Sequence, residues 1–84
     1  MKKIKIIKIK EREDALHRNN IPEGFIKHGY MKDIPVVGSA FMLYSDVGLP
    51  FWNTSEVKEI IDESTFKTYN SIYQIIVKPE FEIV

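Results

Sequence analysis

This sequence predicts a mainly β fold, a small antiparallel five-stranded barrel of SH3-like or OB-like shape. Three observations carry that expectation. Short runs rich in β-branched and aromatic residues recur along the chain, turn signals fall about every ten residues, and little sustained helical periodicity appears. The 84 residues make one domain, residues 1–84, at the low end of the usual size range. An apolar fraction of 44% with 29% charged residues is too apolar and too evenly charged for a disordered tail. Cysteine is absent, which removes disulfides, thiolate metal sites and a cysteine nucleophile. One tryptophan, four tyrosines and five phenylalanines are left to supply much of the core.

The first strand is the clearest element. From Lys3 to Lys10, stiff β-branched isoleucine alternates with lysine at a period near two. The alternation slips at Ile6-Ile7, and a β-bulge there would return Ile4, Ile6, Ile7 and Ile9 to one face. Residues 11–20 are polar with good helix formers, and they read as one helical turn ended by Asn19-Asn20. Across residues 21–37, Pro22, Gly24, Gly29 and Pro35 break any period. That stretch reads as a long ordered loop with a short strand at residues 25–30, and loops of such length are often functional.

Residues 39–45 alternate weakly, with Phe41 and Leu43 on one face, and predict a central strand. Residues 46–50 form a turn, after which residues 51–54 run extended. Residues 55–62 satisfy two readings. Ser55 with Val57, Ile60 and Ile61 at helical spacing suits a short helix, while the same residues suit a strand. The helix makes a β-rich α+β sheet the runner-up architecture. Residues 65–70 and 72–78 read as a hairpin turned at Asn70-Ser71, because asparagine tolerates a left-handed backbone. Pro79 stops the ladder, and residues 81–84 could return as an edge strand.

The C-terminal half carries a pattern: Gly38-x-x-Phe41, Trp52-x-Thr54-Ser55-x-Val57-x-x-Ile60, then Phe66-Lys67-Thr68-x-Asn70-Ser71-x-Tyr73-x-Ile75. Over residues 38–77 it resembles short uncharacterised proteins of bacteria and their phages, in which a TS-x-V stretch precedes a T-x-N-S-x-Y hairpin. The resemblance implies a small β-barrel of bacterial or phage origin and brings no catalytic residues with it. This chain departs from that pattern at Glu56, where proline is common.

Charge is balanced overall and uneven locally. Residues 1–10 hold five lysines and no acid, whereas residues 46–84 hold three lysines against seven acids. Neutrality argues against a dedicated nucleic-acid binder. The first strand keeps that alternative open, because Lys3, Lys5, Lys8 and Lys10 could track phosphates beside Tyr30, Tyr44, Trp52 or Tyr69 as stacking surfaces. The plainer use of those lysines is to guard an edge strand against pairing. In extended chain Phe51 and Trp52 point opposite ways, so one of them is expected at the surface. Large aromatics dominate binding hot spots, which makes Tyr30, Phe51 and Trp52 the candidate protein-binding residues.

Other chemistry is poorly supplied. Glu13, Asp14 and His17 would share a face of a helical turn, but a catalytic metal site wants a further ligand and a pocket. They read as a solvated turn, and His28 sits apart from them. No G-x-S-x-G elbow or phosphate-binding glycine loop occurs, and Glu59 with Asp62 reads as surface charge. No catalytic residue, metal or cofactor is therefore expected. Apolar runs are too short to span a membrane, and the lysine-rich start lacks the apolar core of a secretion signal. The expectation is a small, cytoplasmic, non-catalytic protein-interaction module from a phage or mobile element, working in the host cytoplasm if phage-encoded. It would inhibit a host protein or serve a larger assembly; the alternative is a nucleic-acid-binding barrel using the lysine strand. A free terminal strand would also permit a homodimer.

Overall fold

In the computed structural model, which describes residues 1–11 and 22–78, six strands follow one another along the chain. They are β1 (Lys2–Glu11), β2 (Ile26–Met31), β3 (Ala40–Tyr44), β4 (Pro50–Asp62), β5 (Thr65–Thr68) and β6 (Ser71–Val77). Each pairs antiparallel with the next, and β6 returns to pair with β1, closing the barrel. The fold is the small antiparallel barrel that the sequence predicts, with six strands in place of five. Strand order is an up-and-down meander, which the Greek-key order of an OB-fold is not. The added strand is β2, which falls where a short strand at residues 25–30 is read within the long loop and now joins the barrel. The helical turn at residues 11–20, the Glu13, Asp14 and His17 cluster and the C-terminal strand at residues 81–84 lie outside the described residues, Glu11 itself closing β1.

Residues 55–62, open to a helix by spacing, belong to the long strand β4. Its first half pairs with β3, from Tyr44↔Pro50 to Ala40↔Glu56, and its second half with β5, from Val57↔Thr68 to Asp62↔Thr65. A helix would put Val57, Ile60 and Ile61 on one buried face. In the barrel Val57 is fully buried while Ile60 and Ile61 stay exposed, because ladder pairing on both sides outweighs the local spacing.

The first strand keeps strict alternation where a bulge was expected. Ile4, Ile6 and Lys8 point into the barrel and are buried, while Ile7 is half-buried and Ile9 exposed on the outside. The irregularity falls two residues later, between Lys8 and Lys10 against β6. Nor is β1 an edge: it pairs with β2 on one side and β6 on the other, so its lysines guard no free edge and it offers none to a second copy.

Ile4, Ile6, Met31, Phe41, Leu43, Val57, Phe66, Tyr73 and Ile75 form the core. Five rings run through it in sequence. Phe41 lies 5.3 Å from Phe66, Phe66 stacks on Tyr73 at 5.6 Å, Tyr73 meets Trp52 edge-on at 5.9 Å, and Trp52 lies 6.3 Å from Phe25. The β5–β6 turn falls at Tyr69-Asn70, and Asn70 does not take the expected left-handed backbone; among the described residues only glycines have positive φ. The Thr68 hydroxyl holds that turn instead, accepting from the Asn70 and Ser71 amides. No helix among the described residues is long and apolar enough to cross a membrane.

Candidate functional site

Where β2 meets β3 the barrel is joined by a single ladder pair, Tyr30↔Tyr44. Local sequence explains the weak seam. Gly29 faces inward with no side chain, and Leu43 fills the space: a Cβ on Gly29 would lie 2.6 Å from Leu43 Cγ. Just past Tyr44 the chain leaves the sheet in a turn. Ser45 donates its amide to the Leu49 carbonyl at 2.8 Å, and Gly48 takes φ +83°, which its lack of a Cβ permits. Among the described residues, residues 26–29 of β2 therefore have no ladder partner in β3.

The opening is a groove of about 440 Å³ on the outer wall. Lys3, His28, Gly29 and Tyr30 form one side, while Tyr44, Phe51 and the Ser45-Asp46 start of the turn form the other. Four side chains singled out by sequence as binding candidates or stacking surfaces thus come together: Lys3, Tyr30, Tyr44 and Phe51. The opposed directions of Phe51 and Trp52 hold, with Phe51 47% exposed in the groove. Trp52 is half-buried, packs against the core between Phe25 and Tyr73, and does not line the groove.

The four lysines of β1 do not make one row. Lys3 is exposed, Lys5 is half-buried on the outer face opposite His28, and Lys10 is exposed beyond the irregularity. Lys8 is 0% exposed, inside the barrel. Sequence reasoning missed other cations around the groove. Lys78 Nζ lies 2.6 Å from His28 Nδ1, within hydrogen-bond distance. Lys27 Nζ sits 5.5 Å from the centre of the Phe51 ring, and Lys32 Nζ 4.4 Å from that of Tyr44. Only strand register brings these residues to the groove; the lysine-rich start was the single sign legible beforehand.

Among the described residues, the titratable groups shifted from their ordinary values lie elsewhere. The Glu56 carboxylate and the Tyr69 hydroxyl hold the Lys58 ammonium protonated to higher pH than usual. The Ser64 amide, then the Thr65 hydroxyl, lowers the Asp62 carboxyl below its usual value. Both lie on β4, away from the groove. Among the described residues no three His, Asp or Glu side chains gather as metal ligands. A second hollow of about 360 Å³ separates the loop at residues 33–36 from β3, with Ile34 and Val36 exposed at its rim. No protein-family model, curated protein or solved structure matches the chain.

Proposed function

We propose that this barrel is a non-catalytic protein-interaction module whose partner docks in the groove between β2 and the β3–β4 turn. The observation that supports this reading is Phe51, a phenylalanine 47% exposed beside Tyr30 and Tyr44 in a concave, cation-rimmed surface. Large aromatics held at the surface of a small domain are costly to leave in water and are the usual anchors of protein interfaces. The resemblance over residues 38–77 adds a bacterial or phage setting, with the module acting on a host protein or within an assembly in the cytoplasm.

Affinity capture from bacterial lysate, with the chain and its Phe51→Ala and Tyr30→Ala variants, tests the proposal. Partners held by the parent and lost by both variants support it; partners retained by both variants overturn it. A nucleic-acid partner is the second reading, favoured by the nearness of lysines to aromatic rings. It has Lys3, Lys5 and Lys10 at the surface but not Lys8, and Lys27 and Lys32 already cover Phe51 and Tyr44. A low-salt mobility shift abolished by Lys3→Glu with Lys5→Glu would establish it.

A further inference from the structure

We infer that the partner binds by strand addition: an extended acidic segment pairs with the backbone edge of β2 at Ile26 and His28. This rests on the docking groove proposed above and adds the chemistry of its occupant.

Hydrogen-bond phase identifies the edge. The Lys78 amide donates to the Lys3 carbonyl at 2.8 Å, so the backbone groups of Lys3 face β6. Alternation along a strand then turns those of Ile4, Ile6 and Lys8 toward β2. The Lys8 amide bonds the Phe25 carbonyl at 2.9 Å, in agreement with that phase. Their partners Gly29 and Lys27 therefore face β1 with their amides and carbonyls, as the Phe25 carbonyl does. Ile26, His28 and Tyr30 face away from β1. Tyr30 meets Tyr44, whereas among the described residues Ile26 and His28 have no partner in the β2–β3 ladder. Both residues are exposed, and His28 and Tyr30 line the groove. A strand laid ~4.8 Å from β2 continues the sheet across that opening, using main-chain bonds for affinity and alternate side chains for selectivity.

Charge selects an acidic occupant. Residues 2–11, 26–31 and 71–78, which form β1, β2, β6 and the residue after it, carry seven lysines and one carboxylate, Glu11 at the end of β1. Lys3, His28 and Lys78 stand on the β1 side of the groove, so that side takes the carboxylates. Asp46 stands at the opposite end and disfavours them there. Phe51 and Tyr30 give the apolar side chains of an alternating segment a wall to cover.

The test is amide NMR on the whole chain with a short peptide alternating glutamate and valine, its lysine–valine counterpart, and oligo(dT). Strand addition expects the acidic peptide to slow exchange of the Ile26 and His28 amides by about tenfold or more. The basic peptide leaves them unchanged, and Lys3→Glu with Lys5→Glu weakens the acidic one by about tenfold. Shifts at Tyr30 and Phe51 without protection of Ile26 and His28 overturn strand addition while the groove reading stands. No response to the acidic peptide at about 1 mM also overturns it. Protection by oligo(dT) alone replaces it with the nucleic-acid reading. The groove reading fails separately, by capture that ignores Phe51 and Tyr30.

Discussion

Thr68 is buried, 1% exposed, and its hydroxyl serves the β5–β6 turn from both sides. It accepts from the Asn70 and Ser71 amides at 3.3 and 3.2 Å and stands 3.3 Å from the Ser71 carbonyl. Thr68→Val keeps the shape and removes those bonds, leaving backbone amides without their acceptor. Its expected cost is about 2 kcal/mol of unfolding free energy, read as a lower urea midpoint at unchanged slope. Thr68→Ser should recover most of that loss. Asp62 works at the neighbouring turn by charge. It accepts from the Ser64 amide at 2.8 Å and the Ser64 hydroxyl at 3.2 Å, and its pKa in the fold lies below the ordinary 3.8. A carboxylate whose folded pKa is lowered adds stability above its unfolded value and loses it as pH falls through the folded one. Asp62→Asn should therefore flatten the stability profile below about pH 4. Parent and variant are compared by urea unfolding at stepped pH; parallel profiles would refute the assignment.

The β2–β3 seam is the element on which the groove depends, and Gly29 is its key position. Gly29→Ala drives a Cβ into Leu43 Cγ, a buried branch point with little freedom to move. Overpacking of that kind costs about 1–3 kcal/mol. In the double variant with Leu43→Ala the clash disappears, so the combined loss should fall short of the sum by about 0.5 kcal/mol or more. Denaturant unfolding of the four proteins measures that coupling, and simple additivity would show that the strands do not touch there. The same position explains why β2 reads only as a short strand within a loop and not as a barrel strand. Its inward residues are Lys27, Gly29 and Met31, which leave no apolar alternation, whereas β3 and the β5–β6 hairpin announce themselves by theirs. In β1 the inward phase falls on Lys8, so a reading that places every isoleucine inside moves the bulge to the wrong residues. In β4, Val57, Ile60 and Ile61 fit helical spacing by coincidence, and only long-range pairing decides against it. Phe51 was legible from strand parity, which is local. The groove itself was not, because it needs Lys3↔Tyr30 and Tyr30↔Tyr44, two pairings between residues far apart in sequence.

Around the whole barrel charge is segregated although the formal net charge is +0. Seven lysines and no carboxylate occupy residues 2–10, 26–31 and 71–78, while residues 50–63 hold four carboxylates and one lysine. In the closed order β4 lies across the barrel from β1, so the two signs face opposite directions. A neutral molecule of this kind exerts little net pull at long range but orients an approaching charged partner. Near the groove the field is that of Lys3, Lys5 and Lys78, and counter-ions screen it over ~8–10 Å at physiological salt. Association of the glutamate–valine peptide should therefore slow as sodium chloride is raised, while dissociation, set by main-chain pairing and apolar contact, changes little. Lys3→Glu with Lys5→Glu should reduce that salt dependence. Glu59→Lys with Glu63→Lys, on β4 across the barrel from β1 and in the turn after it, should change it less. Stopped-flow association across a salt series distinguishes the cases. Equal sensitivity to both pairs would mean that net charge, not the cationic wall beside β2, governs the encounter.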